Sequence, residues 1–295
     1  MAPPNDPREA LRMIHFWKYQ GLGNDFILLE DFDESLPSDT EFVRRACDRS
    51  FGIGADGILY VSSSEKGDVR MRVMNADGTE AEMCGNGIRC VAKHLYDTGR
   101  VRNDTISIET LAGVLSVVIT AEEDKAVMLK VDMGAPILDG RKIPIDYDGE
   151  FINGVLKVGG RKISATAISM GNPHLVTFDP LKSDEIERLG PELESHPFFP
   201  RRTNVEFVSV EDGTLNVRVY ERGAGWTMAC GTGACASVVA AAINGIVPFD
   251  HPVEVKLPGG KLEITVSRDL SQVQMSGPAE LVFEGYYYYK EEKQQ

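Results

Sequence analysis

Short apolar runs separated by glycine-rich turns dominate the chain, and most of them occur twice. Val69-Arg70-Met71-Arg72-Val73 and Leu215-Asn216-Val217-Arg218-Val219 alternate apolar and polar side chains, the pattern of a strand buried on one face. Phe26-Ile27-Leu28-Leu29 and His174-Leu175-Val176-Thr177-Phe178 each follow a Gly-Asn turn and read as short apolar strands. Ile58 to Val61 and Val205 to Val210 read as further strands. A helical pattern then follows a Cys-Gly turn in each half, Ile88 to Tyr96 in the first and Ala234 to Ala242 in the second. The second of these is small and apolar on nearly every face, which predicts a helix wrapped by strands. Hairpins are expected at Ala112-Gly113 and at Pro258-Gly259-Gly260, and the tail from Val282 to Tyr289 is expected to add a last strand.

The doubling is specific enough to be an internal repeat. Arg72-Val73-Met74-Asn75 through Cys84-Gly85-Asn86-Gly87 matches Arg218-Val219-Tyr220-Glu221 through Cys230-Gly231-Thr232-Gly233 without a gap, at an offset of 146 residues. Upstream, Gly23-Asn24-Asp25-Phe26 matches Gly171-Asn172-Pro173-His174 at an offset of 148. Downstream, Ile106-Ser107-Ile108 matches Val253-Glu254-Val255 in pattern. The predicted fold class is therefore mixed α/β (α+β), built from two pseudo-symmetric lobes. The boundaries are drawn at 14–132 for the first lobe and 133–277 for the second, with a strand at about 278–290 returning to the first. Residues 1–13 read as a disordered leader.

Composition narrows the function. The chain has 295 residues, 42% of them hydrophobic, enough for two ordinary cores. Its net charge of −14 argues against nucleic acid as a partner, because that binding needs clustered Lys and Arg. The run from Met228 to Phe249 is broken by Thr232, Ser237 and Asn244, so a buried helix is expected there and no membrane partner. The first residues show no cationic segment leading into an apolar one, so no secretory signal is read there. Five cysteines are too few for a disulfide scaffold and suit a reduced, cytoplasmic setting. The oligomeric state stays open, with a homodimer as the assembly to test.

Cys84 and Cys230 occupy equivalent repeat positions, each followed by Gly-x-Gly and a helix. Glycines allow close backbone approach, and free helix-terminal N–H groups favour an anion. A thiol there is expected to ionise more readily than an ordinary cysteine. The alternative, a cysteine packed as a small hydrophobe, suits Cys47, Cys90 and Cys235, which sit in apolar helical patterns. Two equivalent thiols suit stereochemical inversion, in which one takes a proton from one face of a carbon and the other returns one to the opposite face. No zinc spacing joins His15, His94, His174, His196 and His251 to the cysteines, so no metal is expected. No dinucleotide fingerprint is complete either. A Cys-His hydrolase using His174 stays open, though it gives no reason for two equivalent cysteines.

These motifs carry a resemblance. Phe16-Trp17-Lys18-Tyr19-Gln20-Gly21-Leu22-Gly23-Asn24-Asp25-Phe26, Asn75-Ala76-Asp77-Gly78, Cys84-Gly85-Asn86-Gly87-Ile88-Arg89-Cys90, Gly171-Asn172-Pro173-His174, Arg202-Thr203-Asn204-Val205-Glu206-Phe207, Glu221-Arg222-Gly223-Ala224-Gly225 and Ala229-Cys230-Gly231-Thr232-Gly233 resemble diaminopimelate epimerases, in that family's order and from about residue 16 to 283. The resemblance implies lobes whose sheets curl around a central helix. It also implies a cofactor-free isomerase, without metal or pyridoxal phosphate, that interconverts LL- and meso-diaminopimelate in lysine and peptidoglycan-precursor synthesis. By position, Cys84 and Cys230 match the catalytic bases, and Asn24, Asn75, Asn172 and Asn204 match substrate-binding asparagines. Glu221 and Arg222 match a Glu-Arg pair, and Gly85, Asn86, Gly231 and Thr232 match the cradle around the reacting carboxylate. His174 and Glu221 match groups that position the α-amine and the thiols.

One position departs from the family. Gly57 stands where many members carry Gln, so no binding role is carried to it. The competing expectations are a proline racemase or phenazine-type isomerase of the same two-lobed superfamily, and a binding module indifferent to loss of either cysteine. Two thiols count against the phenazine type. An arginine suited to a second, distal carboxylate counts against the proline racemases.

Overall fold

The structure, a computed structural model, describes residues 11–290. Its contacts divide it into two units: residues 11–21, 25–114 and 279–290 in the first, and 22–24 and 115–278 in the second. Residues 1–10 of the expected leader lie outside the described residues. Residues 11–13 of that leader instead open strand β1 (Leu11–Gly21), which pairs antiparallel with the last strand β18 (Glu280–Lys290), Met13 opposite Tyr288. The alternating burial of β1 begins with Arg12, so the strand extends past the point where the apolar pattern fades.

In the first unit, β2 (Asn24–Glu30) runs parallel to β3 (Gly57–Ser62), with Phe26 opposite Gly57. Helix α1 (Thr40–Cys47) lies between them in sequence. Asp39 caps it, accepting from the N–H groups of Glu41 and Phe42, and Phe42, Val43, Ala46 and Cys47 face inward. These pack on Ile27, Leu29, Ile58 and Tyr289. Strand β4 (Val69–Asn75) is antiparallel to β3 and to the short β5 (Glu80–Ala81). Helix α2 (Gly85–Asp97) follows, and β6 (Thr105–Thr110) then returns parallel to β4, Val69 opposite Ile108.

The second unit opens with the hairpin β7 (Gly113–Glu122) and β8 (Lys125–Asp132). β9 (Gly154–Val158) pairs antiparallel with β10 (Arg161–Ser169), which pairs with β11 (Pro173–Thr177). Helix α3 (Ser183–Glu194) leads to β12 (Asn204–Glu211), parallel to β11 with His174 opposite Asn204. β13 (Thr214–Glu221) is antiparallel to β12 and to the two-residue β14 (Gly225–Trp226). Helix α4 (Gly231–Ile243) is followed by β15 (Val253–Leu257), parallel to β13 with Leu215 opposite Val255. β16 (Gly260–Val266) and β17 (Val273–Gly277) complete an antiparallel run.

The repeat is thus present in the pairing itself. β2-β3-β4-β6 and β11-β12-β13-β15 share one sequence of parallel, antiparallel and parallel neighbours. Register makes Phe26 the counterpart of His174, Gly57 of Asn204, Leu59 of Glu206 and Asn75 of Glu221. The division between units falls at Val114/Leu115, short of the boundary expected near Asp132. The reason is pairing: β8 adds antiparallel to β17, Val131 opposite Met275, which holds the β7–β8 hairpin on the second unit's sheet.

Helix α4 explains the low-polarity run between Met228 and Phe249. Ala234 to Ala242 is buried throughout, and the helix packs against β10 to β13 and β15 to β17. Burying Val238 and Val239 stabilises this arrangement by roughly 1.5–3 kcal/mol each, and a charge on any face of α4 would meet a strand. Among the described residues no helix is long and apolar enough to cross a membrane.

A polar network anchors the far end of α2. Glu30, at the end of β2, accepts from His94 Nε2 at 3.0 Å and from the Arg100 guanidinium, while Tyr19 Oη lies 3.3 Å from His94 Nδ1. Burial opposes the Glu30 charge, but the bonds from His94 and Arg100 outweigh it and lower its carboxyl to about 2. A group that ionises more readily folded than unfolded adds stability above its unfolded pKa, and that contribution fades as pH falls toward the folded one. Glu30→Gln should lower the melting temperature at neutral pH and flatten its decline between about pH 4.5 and 2. An unchanged slope in thermal melts across that window would remove Glu30 from the acid response.

Candidate active site

The two repeated cysteines are the N-caps of α2 and α4. Cys84 (φ −140°, ψ 115°) and Cys230 (φ −120°, ψ 111°) both have extended backbones, so each chain turns into its helix immediately after the thiol. The Gly87 N–H donates to Cys84 Sγ at 3.4 Å, and Cys230 Sγ lies 3.4 Å from Thr232 Oγ1. Sulfur is a weak acceptor, so these helix starts keep donor capacity for a stronger anion. The third helical residue is glycine in both, and a Cβ there would press on the end of a side chain from the neighbouring strand. A Cβ on Gly87 would fall 2.9 Å from Leu59, and one on Gly233 would fall 2.7 Å from Glu206 Oε1. Leu59 and Glu206 therefore hold the same place beneath the two helix starts.

In the first unit, Gly85 and Asn86 are buried, and the fully buried Arg89 donates to Gly85 O and Asn86 Oδ1, both at 2.9 Å. Asn75 is exposed at the end of β4 and donates from Nδ2 to Thr79 Oγ1 at 3.0 Å. No Cβ fits at Gly57, where it would lie 2.5 Å from the Met74 carbonyl oxygen. The backbone there is closed to a side chain.

The second unit gathers more. His174, fully buried on β11, lies 2.7 Å through Nδ1 from Glu206 Oε1 and 2.9 Å through Nε2 from Asn172 Oδ1. Asn204 is spent on the backbone: Nδ2 donates to Pro173 O at 2.9 Å, and Oδ1 accepts from Arg222 N at 3.0 Å. That second bond fixes the turn after β13, where Glu221 Oε1 accepts from Thr227 Oγ1 and the Arg222 side chain is exposed. Buried Glu194 braces the same turn, accepting from Gly223 N and from Arg202. Gly231 is buried and Thr232 half-buried at the start of α4. Asn24 is half-buried and grouped by contact with this unit.

Electrostatics separates Cys230 from the expectation drawn for a helix start. Burial pushes its thiol well above the ordinary range, and negative charge on Glu221 or on Glu206 pushes the same way. The Thr232 hydroxyl and the Gly233 N–H oppose this and lose. Cys47 and Cys90 are also raised by burial, each to about 12, and Cys235 is fully buried. Among the described residues no group of three or more His, Cys, Asp or Glu side chains is placed to hold a metal ion.

Sequence reasoning named His174 but not its buried partner. Glu206 sits between Val205 and Phe207 on an apolar strand, where a carboxylate has no cause unless something pairs with it. Aligning the repeats shows the anomaly, since Leu59 fills the equivalent place. Arg89 and Glu194, both buried and both holding backbone at the site, were likewise not singled out.

Comparison with known proteins agrees with these features. The sequence profile of the family described as diaminopimelate epimerase matches residues 16–138 and 166–282. A diaminopimelate epimerase of Pelotomaculum thermopropionicum is 49% identical over 282 residues, covering 94% of this chain and 100% of the relative. One from Desulfitobacterium hafniense is 47% identical over 274 residues, covering 91% of this chain and 96% of the relative. The fold is shared more widely. A hydroxyproline epimerase of Agrobacterium vitis superposes with a TM-score of 0.70 at 13% identity, over 95% of this chain and 94% of that one. A Bacillus anthracis protein of the PhzF phenazine-biosynthesis family gives 0.67 at 19% identity, over 93% of this chain and 99% of that one. With its cysteine-capped helices in a duplicated mixed α/β frame, and with near-half identity to these relatives along almost all its length, the chain belongs to the diaminopimelate epimerase family.

Proposed function

We propose that this enzyme interconverts LL- and meso-2,6-diaminopimelate, an isomerisation on the route to lysine, by a two-base mechanism at Cys84 and Cys230. The observation that carries the reading is the duplication of a cysteine N-cap on two buried helices. Inversion at the α-carbon needs a base on one face and an acid on the other, and each repeat supplies one thiol. The balance is simple. One thiolate takes the α-proton, the electron pair passes into the substrate carboxylate, and the other thiol returns a proton from the opposite side.

Donors at a helix start stabilise the charge that develops on that carboxylate, and a single fixed donor of this kind is worth about 3–4 kcal/mol. Gly85, Asn86, Gly231 and Thr232 provide this cradle. Asn24, Asn75 and Asn172 read the ammonium and carboxylate groups, and Asn204 acts by holding the turn that presents Glu221 and Arg222. The exposed Arg222 guanidinium takes the distal carboxylate in bidentate fashion. Five cysteines in 295 residues, too few for a disulfide scaffold, suit a reduced, cytoplasmic setting.

Burial, with the Glu221 charge adding to it, holds the Cys230 thiol above the ordinary cysteine range and favours its protonated form in the resting enzyme. Carbamidomethylation of Cys230, followed by peptide mass mapping, should be slow at neutral pH and still rising at pH 9. A plateau reached below that pH would overturn this reading.

Incubation of the reduced enzyme with LL-diaminopimelate in deuterium oxide should give meso product carrying α-deuterium. Folded protein that forms neither label nor product would sink the proposal. Replacing either cysteine by serine should slow turnover by about 10²–10⁴-fold, because a hydroxyl is far harder to ionise than a thiol. Turnover that survives Cys84→Ser or Cys230→Ser would remove that residue from the chemistry.

A further inference from the structure

Glu206 lies beneath the start of α4 and takes no part in the proton transfers described above. It is fully buried, with Oε1 2.7 Å from His174 Nδ1 and no hydrogen-bond partner for Oε2 among the described residues. Two proton arrangements satisfy the contact with His174. In the first, Glu206 is a carboxylate that accepts from Nδ1–H. In the second, it is a neutral acid whose Oε1–H donates to a bare Nδ1, and Nε2 carries the imidazole proton.

The unpartnered Oε2 decides between them. A carboxylate would leave an anionic oxygen buried with neither a donor nor a cation against it, an arrangement proteins avoid by holding a proton. The other ionisable groups that bear on this place are Glu221 from β13 and Cys230 from α4, and a charge on either repels a carboxylate. Burial itself raises the Glu206 carboxyl, and Glu221 adds to it against the pull of His174.

We propose that Glu206 is a positioning residue: a neutral carboxylic acid that fixes His174 as its Nε2–H tautomer and thereby turns the Asn172 amide. The chain of bonds runs in one direction. Glu206 Oε1–H donates to His174 Nδ1, and His174 Nε2–H donates to Asn172 Oδ1 at 2.9 Å. With its oxygen so committed, Asn172 presents Nδ2–H2 and reads a carboxylate rather than an ammonium. Only this last step, the substrate contact, rests on the epimerase reading. The first repeat holds Phe26 and Leu59 at the places of His174 and Glu206, so the device belongs to the second repeat.

The test is the tautomer of His174, read by long-range 1H–15N correlation of the histidine side chains and assigned with His174→Asn. The native protein should show Nε2 protonated and Nδ1 bare throughout the neutral range. Glu206→Gln should keep that signature, because its carboxamide N–H also donates to Nδ1. Glu206→Leu, which installs the residue of the first repeat, removes the donor to Nδ1, so the fixed signature should give way to a mixture containing the Nδ1–H form. Turnover should follow the same order: Glu206→Gln within about threefold of the native kcat/KM, and Glu206→Leu with KM raised about tenfold or more and the smaller effect on kcat.

An imidazolium or an Nδ1–H tautomer in the native protein would overturn the proposal. So would a Glu206→Gln enzyme as impaired as Glu206→Leu. If Glu206→Leu does not fold, the native tautomer and the Gln variant still decide. A chain inactive on diaminopimelate would leave the spectroscopic result standing, so failure of the substrate reading is separable from failure of this one.

Discussion

A helix whose first turn is largely buried has N–H groups with few water partners, and α2 (Gly85, Asn86, Gly87) and α4 (Gly231, Gly233) both begin that way. Burial of their first turns favours small residues against the neighbouring strands, and glycine stands at 87 and 233. It requires a cap that fills space and binds the donors only weakly, as Cys84 Sγ does in accepting from the Gly87 N–H at 3.4 Å, where serine or aspartate would bind more strongly. It also requires apolar faces all round, met in α4 by the run from Ala234 to Ala242. Each is a consequence of hiding a helix terminus, and together they leave a dry, donor-rich place beside a thiol.

Duplication supplied this arrangement twice, but only the backbone stayed symmetric. The pairing signs of β2-β3-β4-β6 recur in β11-β12-β13-β15, and both cysteines keep the same extended geometry. Beneath the helix starts the copies diverge. Leu59 and Phe26 form an apolar floor in the first, while Glu206 and His174 form a hydrogen-bonded one in the second. Gly57, too crowded for a Cβ, has as its counterpart Asn204, whose amide holds Pro173 and Arg222. An enzyme that must act as acid on one side and base on the other gains from such divergence, because two identical thiols would have no resting preference.

The sequence made the repeat, the helix starts and the strands of each half legible, since these rest on local periodicity and on glycine and cysteine spacing. What it left out depends on partners distant in sequence. The pairing of β8 with β17 moved the division between units from Asp132 to Leu115, because a hairpin belongs to whichever sheet its free edge joins. Leu11 to Met13 became strand because residues near 290 lie opposite them. Glu206 escaped notice because a single carboxylate in an apolar strand is unremarkable until its neighbour is known to be His174.

The thiol of Cys230 shows how magnitude decides between two correct principles. A helix start favours a thiolate by about 0.3–1 kcal/mol, or about 2 where geometry is best. Full burial can raise an acid by up to about 3–5 units, each worth about 1.4 kcal/mol, so burial wins and the thiol stays neutral. That outcome suits the proposed chemistry. The substrate carries an ammonium beside the carbon to be inverted, and a cation arriving near Glu221 and Cys230 offsets the Glu221 carboxylate that helps hold the thiol up. Proton transfer at Cys230 then becomes easier at the moment substrate is present, while the empty site keeps a protonated thiol that is slow to be alkylated or oxidised.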